Sequence, residues 1–294
     1  MIPNDRRQQI RRLQLRARRA VSSRLAGAYH SAFKGAGLAF ADVREYQPGD
    51  DIRAIDWNVS ARTGQPFIKQ YTEERELTLL LILDRSASID FGSGSRTKRE
   101  VAAELASFLV FAALENHDQF GLISVTDRVE QYLPPRHGGN HALQLLRAIL
   151  NFTPEHRETR LAAGLDFASQ VCRRRGIVVV FSDFLDPSYE SSLRRLSRQH
   201  DMIAVRLCDP WEEELPVMGL LQLQDSETGK QYLIDTSASV AQNHYAESAQ
   251  KRREQFLRTI RAAGADPLEI TTEGDHLGDL IRFFELRERQ RRHR

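Results

Sequence analysis

The period of the hydrophobic positions changes along this chain, and each change predicts an element. Ile10, Leu13, Ala17, Val21 and Leu25 recur at three- and four-residue spacing with arginines between them, the pattern of an amphipathic helix. From residue 28 to residue 76 the pattern breaks into glycines, aromatics and short alternating pieces. Pro48-Gly49-Asp50-Asp51 and Thr63-Gly64-Gln65-Pro66 read as turns. Short strands and loops without a core of their own are expected there.

From residue 77 strand and helix periods alternate. Residues 77–83 are an apolar run that predicts a buried strand. Residues 97–116 place Val101, Leu105, Phe108, Leu109 and Ala112 on one helical face. Strands follow over 120–125 and 129–133, paired through an Asp127-Arg128 turn, then helices over 142–150 and 161–174. A β-branched strand spans 177–182, a helix 188–199 and a strand 202–207. Residues 219–224 and 231–234 flank Asp225-Ser226-Glu227-Thr228-Gly229 as a hairpin. A long helix over 241–263, a strand over 266–270 and a helix over 277–286 complete the pattern. The alternation predicts an α/β fold: a Rossmann-like, doubly wound, mostly parallel sheet covered on both faces, preceded by a helix and a β-rich extension. The expected division is 1–76 for the helix and β-rich collar, 77–287 for the α/β domain and 288–294 for a basic tail.

Composition narrows the classes. The 294 residues carry a net charge of +2, so the chain as a whole is no obvious polyanion binder. Residues 1–30 nevertheless hold eight arginines against one acid, and the stretch from Arg287 holds five against one glutamate. Such runs are more often solvated faces than nucleic-acid contacts, and nucleic-acid binding is not expected. Only Cys172 and Cys208 are present, without metal-like spacing, which fits a reducing compartment. There is no long apolar run of membrane-spanning length and no leader-like N-terminus, so a cytoplasmic protein without a membrane span is expected.

The chemistry concentrates at Asp84-Arg85-Ser86-Ala87-Ser88, where the apolar strand stops. One carboxylate and two hydroxyls at two-residue spacing form an oxygen-rich claw at the carboxyl end of a strand. Ligands bind there in open α/β sheets, and hard cations such as Mg²⁺ take oxygen ligands. The competing explanation is turn chemistry, since these residue types also close turns and cap helices. Gly92-Ser93-Gly94-Ser95-Arg96-Thr97-Lys98 lacks a P-loop ending and reads as a mobile strand–helix loop. His137 and His141 are separated by Gly138-Gly139, which argues against one helix presenting both to a metal. Cys172 reads as packing. No Gly-x-Ser-x-Gly elbow is present.

Strand–Asp-x-Ser-x-Ser–helix resembles the von Willebrand factor type A domain and its metal-ion-dependent adhesion site. The resemblance implies a threonine from a later loop, here Thr159, and an aspartate after a later strand, here Asp183. Phe184-Leu185-Asp186 follows Asp183 in place of an immediate glycine. Asp186 is therefore an alternative ligand or the start of a turn, and Thr153 is a nearby alternative to Thr159. Phe33-Lys34-Gly35-x-Gly37, Arg44-Glu45-Tyr46-x-Pro48-Gly49-Asp50-Asp51, Arg53-x-Ile55-Asp56-Trp57 and Ala61-Arg62-Thr63-Gly64 resemble the signature of the domain-of-unknown-function 58 family over roughly residues 24–240. That resemblance implies a von Willebrand A-like domain and a MoxR-type AAA+ ATPase as partner.

The expected function is a non-enzymatic adaptor that depends on Mg²⁺ or Mn²⁺, held by Asp84, Ser86, Ser88, Thr159 and Asp183. It would bind an acidic residue on the ATPase or on a client protein. Asp50, Asp51, Arg53, Asp56 and Trp57 are expected to shape a docking surface. Two alternatives stay open: a phosphate-directed, metal-dependent hydrolase using Asp84, and a basic nucleic-acid-binding module.

Overall fold

The structure, a computed structural model, describes residues 24–33, 43–47, 55, 57–69, 76–226 and 229–292. Of the helix expected from Ile10 to Leu25, the residues up to 23 lie outside these, as do the expected docking residues Asp50, Asp51, Arg53 and Asp56. Two compact units are present: Phe33–Glu76, and the described residues on either side of it.

In the smaller unit, β1 (Val43–Glu45) pairs antiparallel with β2 (Phe67–Lys69). Between them in the chain lies a helix, α2 (Trp57–Thr63). It ends as Thr63 Oγ1 donates back to the Val59 carbonyl at 2.9 Å and Gly64 takes φ +77°. Only glycine enters that left-handed conformation without a Cβ penalty. Ser60 Oγ then accepts the Phe67 N–H at 2.8 Å, fixing where β2 starts.

The larger unit takes in α1 (Ala26–Phe33) as far as Ala32 and continues from residue 77. Its strands are β3 (Thr78–Asp84), β4 (Gln119–Val125), β5 (Val129–Arg136), β6 (Ile177–Ser182), β7 (Asp201–Cys208) and β10 (Asp266–Thr271). They form one sheet in the order β10-β7-β6-β3-β4-β5, parallel except for β5. Helices cover both faces, so β6 and β7 are buried along their whole length and read as continuous apolar runs. On one face, α5 (Leu161–Val171), α6 (Glu190–Gln199) and α8 (Ser239–Ala262) press Leu165, Leu193, Phe256 and Ile260 against Leu80, Ile82, Val178 and Val180. Elsewhere in the unit α3 (Lys98–Glu115) packs against α4 (Gly139–Asn151) and α9 (His276–Arg292). Tyr29 of α1 meets Phe284 of α9 edge-on at 6.0 Å. A hairpin of β8 (Leu220–Gln224) and β9 (Gln231–Asp235) forms a separate two-stranded sheet.

The structure departs from the sequence expectations at several ends. β5 runs through Pro134 and Pro135 to Arg136, where the sequence reading stopped at 133. An edge strand tolerates prolines because their missing N–H leaves no ladder bond unmade on the open side. The register shifts here, and Gly121 opposite the shift has no room for a Cβ, which would stand 2.9 Å from the Leu133 carbonyl oxygen and the Pro135 nitrogen. α4 starts at Gly139 rather than 142, and α5 stops at Val171 rather than 174. Residues 288–292, expected as tail, continue α9. Arg287 and Arg291, one turn apart, both close on buried Asp201 and hold that end helical. The stretch before α3 is tied down rather than loose. Ser93 N–H donates to Asp209 at 2.9 Å, and Thr97 and Glu100 form a reciprocal cap on α3. A four-residue helix, α7 (Pro210–Glu213), was not anticipated.

Candidate functional site

Strand order reverses between β3 and β6, because the chain leaves β3 toward β4 and β5 and later returns on β3's other side. Ligands of doubly wound sheets bind beyond the carboxyl ends at such a switch point. Asp84 is the last residue of β3, and Asp183 directly follows β6. The claw and the later aspartate are therefore neighbours because of the topology, although 99 positions separate 84 from 183 in the numbering.

Both carboxylates are buried, Asp84 at 2% and Asp183 at 4% exposure. Asp84 Oδ1 accepts the Ser86 N–H at 2.9 Å, and Oδ2 accepts the Ser182 hydroxyl at 2.6 Å. Ser182 Oγ in turn accepts the Phe184 N–H at 3.0 Å. The Ser86 and Ser88 hydroxyls bond to one another at 3.1 Å. Asp183 Oδ1 accepts the Leu185 N–H at 3.3 Å, and its Oδ2 accepts from Lys98 Nζ at 3.0 Å. Lys98 Nζ also donates to Glu212 Oε1 at 2.6 Å. Phe184, buried, is held at φ +56°, a conformation that costs a non-glycine residue energy and turns the chain sharply after Asp183.

The electrostatics follow from burial. Desolvation, then the nearby Asp183 charge, pushes the Asp84 carboxyl up to about 6, against the opposing bonds from Ser182 and Ser86. Burial by itself would push Lys98 down, but Asp183 and Glu212 more than offset it and hold the ammonium charged. Glu212 is pushed up by its burial, which Lys98 only partly compensates because Asp183 faces it too.

Thr159 is half-buried in the 152–160 loop ahead of α5. That loop is pegged from several sides. The Arg157 carbonyl accepts the Ala87 N–H at 3.0 Å, joining it to the claw, and Arg160 N–H donates to the Thr126 carbonyl at 2.9 Å. The Glu130 carboxylate accepts the N–H groups of Glu155 and His156 at 2.8 and 3.0 Å and the Thr126 hydroxyl at 2.7 Å. Asp186 accepts the Leu161 N–H at 2.9 Å at the start of α5, together with the Ser188 N–H and hydroxyl, so its oxygens serve the turn and the helix end. Thr153 is exposed. Asp84, Ser86, Ser88 and Asp183 thus converge, with the Thr159 loop anchored beside them. Trp57 heads α2 in the other unit and is 69% exposed.

The donor set suits a hard divalent cation. Every group is oxygen, and Asp84, Asp183 and Glu212 outnumber Lys98 by two charges when all are ionised. Among the described residues no three His, Cys, Asp or Glu side chains form a metal cluster by themselves, so an ion here would depend on the serine hydroxyls. Of the remaining histidines, buried His141 bonds the Phe120 carbonyl at 3.0 Å and stacks on that ring. Both cysteines are free thiols.

Sequence reasoning missed Lys98, Glu212 and Ser182. Lys98 carried one usable signal. A lysine at the first position of a helix opposes the helix dipole, which asks for acids to hold it there.

Residues 42–255 match the family described as "Protein of unknown function DUF58". The chain belongs to this family. It is 34% identical over 285 residues to the uncharacterized protein Rv1480 of Mycobacterium tuberculosis, covering 95% of this chain and 89% of that one. Among solved structures, the DUF58 chain is similar to the conserved hypothetical protein BatB from Bacteroides thetaiotaomicron, at 12% identity over 72% of this chain and 99% of that one, with TM-score 0.47. It is also similar to the SpRpn10 VWA domain, at 13% identity over 70% of this chain and 94% of that one, with TM-score 0.40. No helix among the described residues is long and apolar enough to cross a membrane.

Proposed function

We propose that this DUF58 protein is a non-enzymatic, divalent-metal-dependent protein-binding adaptor. The observation that carries the reading is the buried acid pair Asp84 and Asp183 at the sheet's switch point, facing paired serine hydroxyls and carrying more negative charge than Lys98 balances. Asp84, Ser86, Ser88, Thr159 and Asp183 would hold Mg²⁺ or Mn²⁺. The ion would supply a Lewis-acidic position suited to a carboxylate from another protein. The chain's own groups position it. Ser182 and the Ser86 N–H aim Asp84, the Leu185 N–H aims Asp183, and Glu130 holds the Thr159 loop.

Binding is favoured over hydrolysis because the hydroxyls at the site pair with one another and with Asp84, an arrangement that orients ligands rather than activating a nucleophile. The partner that fits the family resemblance is a MoxR-type AAA+ ATPase, or a client it remodels, in the cytoplasm. Affinity capture from native lysate with Mg²⁺ or with EDTA tests the reading, using wild type and the Ser86→Ala/Ser88→Ala double variant. Capture of the ATPase should be lost with EDTA and with the double variant alike. Phosphoesterase activity that needs Mg²⁺ and vanishes in Asp84→Asn would replace it with the hydrolase reading.

A further inference from the structure

We propose that Lys98 and Glu212 form an internal counter-charge that sets how tightly the Asp84–Asp183 site holds its divalent ion. The inference rests on the metal reading above and concerns positioning residues outside the ligand set. The Lys98 side chain is fully buried, with its ammonium between Asp183 and Glu212. It takes one oxygen of Asp183, whose other oxygen already accepts the Leu185 N–H. An ion arriving between Asp84 and Asp183 therefore meets a carboxylate already committed to a cation, and a fixed positive charge directly behind it. In a buried setting such charge–charge terms are screened far less than at a surface.

Glu212 acts in the opposite sense. It draws on the same ammonium and adds negative charge to the cluster. Its position is set by distant parts of the chain. It sits on α7, where its Oε2 accepts the Asp209 N–H at 3.1 Å in a reciprocal cap. Buried Asp209 in turn accepts the Ser93 N–H at 2.9 Å and the Thr272 hydroxyl at 2.7 Å. The segment before α3, the end of β7 and the residue after β10 are thereby joined to the ion's second acid through one lysine. A purely structural ion pair would give the same contacts, but its loss would damage the site whichever partner was removed. A counter-charge gives opposite signs for the two partners.

The test is calorimetric titration of the full chain with Mg²⁺ and Mn²⁺. Lys98→Met should tighten binding at least tenfold. Glu212→Gln, which keeps the oxygen that caps α7, should weaken it at least threefold. Wild-type binding with both variants unchanged, or both weakened, overturns the proposal and leaves the metal reading standing. A wild type that takes neither metal overturns the metal reading and this proposal with it. If Lys98→Met does not fold, Glu212→Gln and Glu212→Lys carry the test. Affinity must then fall stepwise with each positive increment, and a flat series refutes the counter-charge.

Discussion

Replacing Asp84 with asparagine should stabilise the metal-free protein and remove the binding of Mg²⁺ proposed above. The Asp84 carboxyl is raised from 3.8 to about 6 by burial and by Asp183, and an acid raised in the folded state costs stability wherever it is ionised. A rise from 3.8 to about 6 corresponds to roughly 3 kcal/mol at about pH 7.5. Asparagine avoids that cost but cannot accept at both positions, so the bond from Ser182 must rearrange, at about 1 kcal/mol. The net gain is about 2 kcal/mol, or roughly 4–8 °C in melting temperature for a domain of this size. The sign follows the protonation. As pH falls the folded Asp84 takes its proton before the unfolded one, so the wild type recovers and the difference should vanish near about pH 4.5. Thermal melts in EDTA across that range, followed by circular dichroism, measure it. Adding Mg²⁺ should raise the wild-type melting temperature by mass action and leave Asp84→Asn unmoved. An asparagine variant less stable than wild type at neutral pH in EDTA, or a difference independent of pH, would refute the buried-acid argument.

Further outcomes follow from the same geometry. Glu130→Ala removes the acceptor of two backbone N–H groups and should cost about 1–3 kcal/mol, with faster hydrogen exchange confined to residues 153–160 and weaker Mg²⁺ binding. Unchanged exchange there would mean the loop does not depend on that peg. Mg²⁺ affinity should decline as pH drops through about 6, because protons compete for Asp84, and a titration flat between pH 5 and 8 would contradict this. Gly176→Ala should destabilise the sheet by about 1–3 kcal/mol in a urea melt, since its Cβ would sit 2.6 Å from the Thr78 carbonyl oxygen.

The α/β alternation and the claw were legible in the sequence because both are local signals. Period and β-branching mark β6, and the abrupt polarity change after Leu83 marks the end of β3. Asp183 was found by resemblance, and the parallel pairing of β3 with β6 is what makes it Asp84's neighbour. Lys98 and Glu212 were not legible. They stand 85 and 29 positions from Asp183 in the numbering, and only the folded sheet brings the three together. The arginines of α9 looked like a solvated run because charge spacing alone does not reveal that Asp201, at the start of β7, waits beneath them. β5 was cut short because two consecutive prolines argue against a strand until its edge position is known.

Arg85, between Asp84 and Ser86, points away from the site and into the fold. Its guanidinium donates to the Ile149 carbonyl at 2.8 Å, near the end of α4, and lies over the Phe152 ring at 5.6 Å, where the Thr159 loop begins. The middle letter of Asp-x-Ser is therefore not a spacer. It is a dowel that ties the claw to the end of α4 and to the departure of the 152–160 loop. A variant at Arg85 should therefore read as a lost core contact in a melt and should also weaken Mg²⁺ binding in a titration, although its guanidinium is turned away from Asp84, Ser86 and Ser88.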